Sequence, residues 1–344
     1  MAQPCRVVQW STGTIGSYAL RAVIDHRDLH LAGVYVHGAD KAGQDAGELC
    51  GTGPTGVIAT DRVDDILALA PDCVLYMPNF ANVDDICRLL ATGCNVVTTA
   101  GQFHHPAGMD AAVREPVEAA CIAGGTSIYS TGSSPGFITE AVPLTLSSIQ
   151  RRLDHLAIDE YADLSQRNSP ELLFDVMGFG KPADTFEEFR AEYLKHSFGP
   201  SLRQLADALG LPLDSVTAAG ELATTRGDIE IAAGTLPAGS VGAQRVTITG
   251  IRNDRPLLRF RANWYCTRDL TEDWTLNETG WHISVAGDAP LEVELRMPVP
   301  LDRMAEVSPA YTANRAVNSV AAVCAAPPGI RTTADLPWII ASLA

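Results

Sequence analysis

The stretch CRVVQWSTGTIG, residues 5–16, has the composition of a short buried β-strand followed by a glycine-rich turn. Its second half follows the pattern GxGxxG, with Ser11 in the place of the first glycine. In that pattern the later glycines let the backbone approach a phosphate group and let the next helix pack closely on the strand. Because an apolar helical stripe follows, with a helix expected from near Ser17, the stretch predicts a dinucleotide-binding turn made of Ser11, Thr12, Gly13, Thr14, Ile15 and Gly16.

The sequence beyond this turn continues as alternating strands and helices. Short β-rich apolar runs are separated by longer amphipathic stretches, and the runs lie at 5–10, 31–36, 73–77, 95–99 and 126–130. This alternation is typical of βαβ units and therefore of a parallel sheet. We predict an α/β fold in which residues 1–135 form a dinucleotide-binding Rossmann domain.

A second domain is expected because 344 residues exceed what one hydrophobic core usually supports. After the loop STGSSPGF (130–137) we predict a helix over 138–151 and an irregular polar segment over 160–174. The next apolar runs alternate partly with polar residues, which indicates an antiparallel sheet, and they lie at 244–251, 256–266, 281–287 and 291–297. Residues 136–311 are therefore predicted to form a substrate-binding α+β domain with a mainly antiparallel sheet.

The tail of the chain has an amphipathic pattern over 312–330, which ends at Pro327, Pro328 and Gly329. Its small apolar face predicts a helix that packs against the Rossmann domain. We expect this C-terminal helical segment, 312–344, to dock back onto residues 1–135.

Composition excludes several classes of function. A net charge of −16 without a basic run is unfavourable for binding nucleic acid. No stretch is apolar enough to span a membrane, and the first residues lack a signal-peptide pattern, so we expect a cytoplasmic protein with no membrane partner. The eight cysteines contain no CxxC pair, and the neighbours His104 and His105 would point in different directions, so we predict no metal site.

Residues at the ends of the predicted strands indicate which cofactor the domain prefers. An NAD-selective domain usually carries Asp or Glu about 20 residues after the glycine turn, whereas here His37 follows the second run and Lys41 lies close by. These residues favour NADP(H) and leave NAD(H) open, although Lys41 could equally be a solvated surface charge. The ends of parallel strands meet at one edge, so we also expect the cofactor to contact Asn79, Thr99, Ala100 and Gly101.

Four segments together resemble one known group of enzymes. They are GADKAGQDAGELCG (38–51), NVVTTAGQF (95–103), STGSSPGFITEAVPLTL (130–146) and TANRAVNSVAAVCAAPPGI (312–330). They look like the native amine dehydrogenases and 2,4-diaminopentanoate dehydrogenases of the dihydrodipicolinate reductase-like superfamily. The histidine and lysine motif of true dihydrodipicolinate reductases does not follow residue 151, so that activity is disfavoured.

The resemblance implies reduction of small ketones or aldehydes with ammonia to amines, a homodimer formed through the sheet domain, and contact of Asn318 with the nicotinamide. A dimer would also cover the exposed sheet face, which we expect to be apolar. One residue departs from the pattern, because the relatives carry a glutamate where this chain has Gln102. An amide can orient a substrate but cannot act as a general base.

Other residues could then complete the catalytic set. We predict that Glu160 and Tyr161 act with Gln102 in catalysis, and that Asp163, Pro135 and Phe137 contact the substrate. Equally simple accounts treat the acidic residues as surface or dimer contacts and Phe137 as a core aromatic. An ammonia-independent carbonyl reductase that uses Tyr161 as proton donor, or a non-catalytic NADP-binding sensor, would share the same scaffold.

Overall fold

The computed structural model describes residues 4–183, 186 and 188–343. The chain forms two compact units, one made of Met1–Phe137 with Ser308–Ala344 and the other of Ile138–Val307. The first contains a parallel six-stranded sheet and the second a mixed six-stranded sheet, so the predicted α/β fold class is confirmed. Within the described residues, no helix has both the length and the apolar character needed to cross a membrane.

The first unit begins with alternating strands and helices. Their bounds are β1 (Cys5–Trp10), α1 (Thr14–Ile24), β2 (Leu29–Tyr35), α2 (Ala46–Cys50), α3 (Val63–Ala68), β3 (Cys73–Tyr76), α4 (Val83–Ala91), β4 (Asn95–Thr98), α5 (Ala111–Gly124) and β5 (Ser127–Ser130). These strands pair in parallel in the order β5-β4-β3-β1-β2. β2 and β3 therefore lie on opposite sides of β1, and the carboxyl ends of all five strands meet at one edge.

Both faces of this sheet are covered, as a parallel sheet requires. Val7 of β1 belongs to a core that includes Leu20 and Val23 of α1. Val8 points to the other face, where Ile86 and Leu90 of α4 are buried. The helix after the glycine turn begins at Thr14 rather than near Ser17 as predicted, because the turn needs only three residues after β1.

The second unit contains a small helix, a long helix, the mixed sheet and a separate antiparallel pair of short strands. Its elements are α6 (Val142–Ser147), β6 (Leu153–Asp163), α7 (Glu188–Ala208), β7 (Ser215–Thr224), β8 (Ile229–Ile231), β9 (Gly234–Leu236), β10 (Val241–Arg252), β11 (Arg255–Tyr265), β12 (Gly280–Gly287) and β13 (Leu291–Arg296). The sheet order is β13-β12-β6-β11-β10-β7, in which only the β6–β11 pair is parallel. The separate pair is formed by β8 and β9.

Two local predictions for this unit need correction. The helix predicted over 138–151 is helical only over 138–147, where a π-helical turn runs directly into α6, and α6 ends at Ser147. The irregular backbone lies before it, at Ser134, Pro135 and Gly136. Residues 160–163 are not irregular, since they form the end of β6. Their polar side chains hid the strand: Glu160 is polar, yet its Oε2 accepts a hydrogen bond at 2.8 Å from Trp281 Nε1 on the neighbouring strand β12.

The open face of this sheet is also different from the apolar surface that we expected. The core that includes α7 contains Leu258 and Phe260 of the sheet. Side chains alternate along a strand, so Arg259 and Arg261 project from the other face, where Asp159 pairs with both. The apolar Tyr265 on that face is buried in a separate cluster with Leu276. The middle of the face opposite α7 is therefore charged, and burial of an apolar patch gives no argument for a dimer.

The chain then returns to the first unit through α8 (Leu301–Cys324) and β14 (Gly329–Arg331). Ala316 and Val320 of α8 are buried in the same core as α1. The predicted helix 312–344 is wrong at both ends, because α8 begins before residue 312 and stops at Cys324. Pro327 and Pro328 cannot continue a helix, and the residues after them pair in parallel with β5 as the sixth strand.

Candidate cofactor site

A cavity of about 490 Å³ lies in the first unit at the point where the strand order reverses. In open α/β sheets this place, outside the carboxyl ends of the strands, is where ligands bind. The loops after β1, β2 and β3 supply its walls. The lining residues are Ser11, Thr12, Gly13, Val36, His37, Gly38, Lys41, Met77, Pro78, Asn79 and Phe80.

The glycine turn forms the wall beneath α1. Ser11 adopts a positive φ of 75°, a conformation that glycine takes at little cost and that is uncommon for serine. Its N–H donates to the Tyr35 carbonyl oxygen at 2.8 Å, and its carbonyl oxygen accepts from Gln9 Nε2 at 2.9 Å. A Cβ at Gly16 would overlap that carbonyl oxygen, so this position needs glycine for the helix to pack on the strand.

Gly13 has a different role, since no protein atom lies within 4 Å of the place that its Cβ would occupy. Its φ of −72° and ψ of −170° are open to any residue, so neither packing nor conformation of the chain requires glycine here. Gly13 also caps α1 without a side-chain hydrogen bond to the helix, which leaves that end of the helix available to an anion. These features fit the pyrophosphate of a dinucleotide, which needs close approach to the backbone.

A cation lies on the opposite side of the turn. Lys41 Nζ donates to the carbonyl oxygen of Thr12 at 3.1 Å and lies 3.3 Å from its hydroxyl. His37 lies beside it and is exposed. None of the residues that line the cavity is acidic. Asp40 precedes Lys41 in the chain but does not line the cavity. The wall of the cavity near the end of β2 therefore includes His37, Gly38 and Lys41 and contains no carboxylate.

The loops after β4 and β5 meet at the same edge of the sheet. Thr99, Ala100 and Gly101 lie directly after β4, and Gln102 follows them in a short 3-10 helix, Gly101–His104. Ser130 Oγ donates to the Ala100 carbonyl oxygen at 2.8 Å, which joins the two loops. These residues are half-buried and lie outside the lining of the cavity, so their predicted contacts with the nicotinamide stay predictions.

The loop after β5 is held by α8. Ser133 Oγ is 2.8 Å from the Thr312 hydroxyl, and the guanidinium of Arg315 lies 5.9 Å from the centre of the Phe137 ring. Pro135 stands between them in an extended part of this loop. Asn318 lies one turn beyond Arg315 on α8 and is half-buried, and its predicted role also stays a prediction.

The remaining predicted residues lie on β6 in the second unit. Glu160 faces the core side, where its Oε2 accepts from Trp281 Nε1 at 2.8 Å. Tyr161, the next residue, points to the opposite face of the sheet, as consecutive residues of a strand must. Asp163 accepts from the N–H of Ser165 at 3.0 Å and so shapes the turn that follows the strand. Glu160 and Tyr161 therefore cannot approach a substrate from the same side of the sheet.

Burial fixes the protonation state of Tyr161. Burial raises the pKa of its hydroxyl, and the negative charge of Asp159 raises it further. The hydroxyl is therefore protonated at neutral pH and can donate a hydrogen bond or a proton.

Sequence reasoning missed several residues of the site. Met77, Pro78 and Phe80 line the cavity together with the predicted Asn79, and Phe80 is 87% exposed at its rim. Their position after a strand end was the available signal. Gln9 was missed as well, although a glutamine in the run CRVVQW is an unusual residue for a buried strand.

Comparisons with known proteins place relatives along nearly the whole chain. Residues 137–344 match the family model of the 2,4-diaminopentanoate dehydrogenase C-terminal domain. An amine dehydrogenase of Streptomyces virginiae is 29% identical over 353 residues, which cover 96% of this chain and 95% of that protein. A 4-hydroxy-tetrahydrodipicolinate reductase of Synechococcus elongatus is 28% identical over 188 residues, 49% of this chain and 62% of that protein.

A solved structure shares the whole fold. The amine dehydrogenase from Mycobacterium smegmatis superimposes with a TM-score of 0.76 at 20% identity, over 98% of this chain and 97% of that one. A putative myo-inositol dehydrogenase from Sinorhizobium meliloti superimposes with a TM-score of 0.53 at 18% identity, over 92% and 88% of the two chains. The likeness to these structures concerns the fold.

Proposed function

Because the chain belongs to the 2,4-diaminopentanoate dehydrogenase C-terminal domain family, we propose that it is an NAD(P)-dependent oxidoreductase that interconverts small amines and carbonyl compounds. The family match confirms the resemblance seen in the sequence. The relative from Streptomyces virginiae, an amine dehydrogenase, supports the same class of reaction. In the reductive direction a ketone or aldehyde, ammonia, NAD(P)H and a proton would give an amine, water and NAD(P)⁺.

The observation that carries this proposal is the cavity at the reversal of strand order. Gly13 leaves room for a pyrophosphate, and the adjacent end of α1 offers N–H groups to it. Lys41 and His37 would bind a 2′-phosphate, so we propose NADP(H) as the preferred cofactor. When bound, the nicotinamide would supply or accept the hydride, while the protein orients the substrate and excludes water.

The neutral side chain of Gln102 bears on whether the proposed site can use ammonia as a substrate. Its side chain makes no hydrogen bond to another of the residues that the structure describes, and it is half-buried, so it is available to a ligand. We propose that its amide orients the substrate without exchanging protons. A neutral residue here also favours a second candidate function, an ammonia-independent carbonyl reductase in which Tyr161 would donate the proton.

The test follows the absorbance of the reduced nicotinamide with a panel of small ketones and aldehydes, with and without ammonium. Oxidation that depends on ammonium supports the amine dehydrogenase, and oxidation that ignores ammonium supports the carbonyl reductase. Binding of NADPH without any turnover would instead indicate a sensor and contradict both. We expect Gln102→Glu to raise ammonium-dependent turnover, and no gain would contradict the placement of Gln102 beside the substrate.

The oligomeric state is a further part of the proposal. We propose a homodimer formed through the sheet of the second unit, whose open face carries the partly exposed Arg259 and Arg261 on β11 and the exposed Glu292 and Glu294 on the edge strand β13. A two-fold axis along the strands would bring opposite charges together. Sedimentation that shows only monomer at assay concentration would contradict this.

A further inference from the structure

A polar side chain is buried in the strand that leads to the glycine turn. Gln9 has no exposed surface, and its neighbours Val7, Val8 and Trp10 are apolar and equally buried. Its Nε2 donates to the carbonyl oxygens of Trp10 at 3.2 Å and Ser11 at 2.9 Å. Only the NH₂ end of an amide can donate hydrogen bonds to two carbonyl oxygens, so the nitrogen and not the oxygen of Gln9 must face them.

The backbone of Ser11 adopts an unfavourable conformation, which neighbouring groups must stabilise. A residue with a Cβ pays a steric cost at a φ of 75°, whereas glycine, the usual residue here, does not. The Ser11 hydroxyl is buried and forms no hydrogen bond among the described residues, so the side chain does not stabilise its own backbone. The peptide groups are held instead, by Tyr35 on the N–H side and by Gln9 on the carbonyl side.

We propose that Gln9 is a positioning residue for the cofactor turn and takes over the role of the missing first glycine. By holding the Ser11 carbonyl oxygen against the first turn of α1, it keeps Thr12 and Gly13 facing the cavity. This inference rests on the proposed function, since the turn matters to activity only if it binds the dinucleotide.

The first test measures NADPH binding to Gln9→Met by the change in protein fluorescence. Methionine matches the length of glutamine but cannot donate, so the turn should spend less time in the binding conformation, and the Kd for NADPH should rise about tenfold. Adding Ser11→Gly should return the Kd to within about threefold of the wild-type value, because glycine adopts the positive φ without support. A merely structural role of Gln9 would not be rescued in this way.

A matched control is Gln244→Met in the second unit. Gln244 is equally buried and also donates to a carbonyl oxygen, that of Met177, but it lies outside the proposed cofactor site. Its substitution should leave the Kd for NADPH unchanged.

Hydrogen exchange of the free protein gives a readout that needs no cofactor. Gln9→Met should speed amide exchange at Thr12–Ser17, and Ser11→Gly should reverse the effect. Wild-type exchange and affinity in Gln9→Met, or no rescue by Ser11→Gly, would overturn the proposal. If Gln9→Met does not fold, recovery of folding in the double variant supports it and continued failure contradicts it. A wild-type protein that binds neither NADPH nor NADH would contradict the proposed function, while the exchange data would still decide the role of Gln9.

Discussion

Adding one methyl group at each of two glycines of the same turn should separate cofactor binding from folding. At Gly13 the new Cβ of alanine meets no protein atom within 4 Å, and the backbone there is open to any residue. Gly13→Ala restricts the unfolded chain but is a poorer N-cap for α1, and the two effects offset each other, so the free protein should keep the wild-type stability to within about 1 kcal/mol. The methyl group would occupy the surface that we assign to the pyrophosphate.

The expected loss of affinity follows from that overlap. Forcing one methyl group into a well-packed contact costs about 1–3 kcal/mol, so the Kd for NADPH should rise roughly 5- to 150-fold. At Gly16 the new Cβ would overlap the Ser11 carbonyl oxygen and lie 3.1 Å from Gln9 Nε2. Gly16→Ala should therefore destabilise the free protein by about 1–3 kcal/mol and lower its Tm by about 2–10 °C.

The assay combines thermal unfolding of each free variant with a titration of NADPH. Gly13→Ala should keep the wild-type Tm and bind NADPH more weakly, whereas Gly16→Ala should have a lower Tm than the wild type. A folded Gly13→Ala variant that binds NADPH with wild-type affinity would refute the assignment of this surface to the pyrophosphate.

Three further predictions concern other charged groups. Lys41→Met should weaken NADPH binding by about tenfold or more and change NADH binding little, because one charge-assisted phosphate contact is lost; equal losses for both cofactors in a titration would contradict it. Hydrogen bonds, of which that from the Thr55 N–H has the largest effect, hold the pKa of Asp45 below its usual value. The carboxylate therefore stabilises the fold above the unfolded pKa of about 3.9, and this contribution is lost as the pH falls through the folded pKa. Asp45→Asn should accordingly lower Tm at neutral pH and flatten its fall in acid, and a parallel pair of Tm curves would count against this. Asp159→Asn leaves Arg259 and Arg261 facing each other on the sheet, so we expect a loss of about 2–4 kcal/mol in denaturant unfolding, and a neutral result would contradict the ion pairs.

The sequence predicted well what depends on short-range pattern. The glycine turn needs a strand, three small or polar residues and a helix start in succession, and residues 5–16 contain all of these. The cavity wall was only partly predictable: Lys41 was predicted from its place after β2, whereas Phe80 comes from a loop that adjoins the glycine turn only once the strands have assembled out of sequence order.

Errors arose where tertiary partners override local composition. The polar end of β6 was predicted to be irregular because Glu160 finds its hydrogen-bond partner, Trp281, on another strand, 121 residues away. The last strand, β14, was not predicted, since nothing in Gly329–Arg331 shows that β5 still has a free edge to pair with. The contribution of Gln9 depends on the conformation of Ser11, which a pattern with serine in place of glycine does not reveal.

Transfer of deuterium from the cofactor to the product would show whether the protein makes an amine by hydride transfer. The protein would be incubated with NADPH that carries deuterium at both C4 positions of the nicotinamide, a small ketone and ammonium, and the products analysed by mass spectrometry. We expect an amine that carries deuterium on the carbon bonded to nitrogen. A deuterated alcohol as the sole product, or no deuterated product from any ketone or aldehyde of the panel, would contradict it.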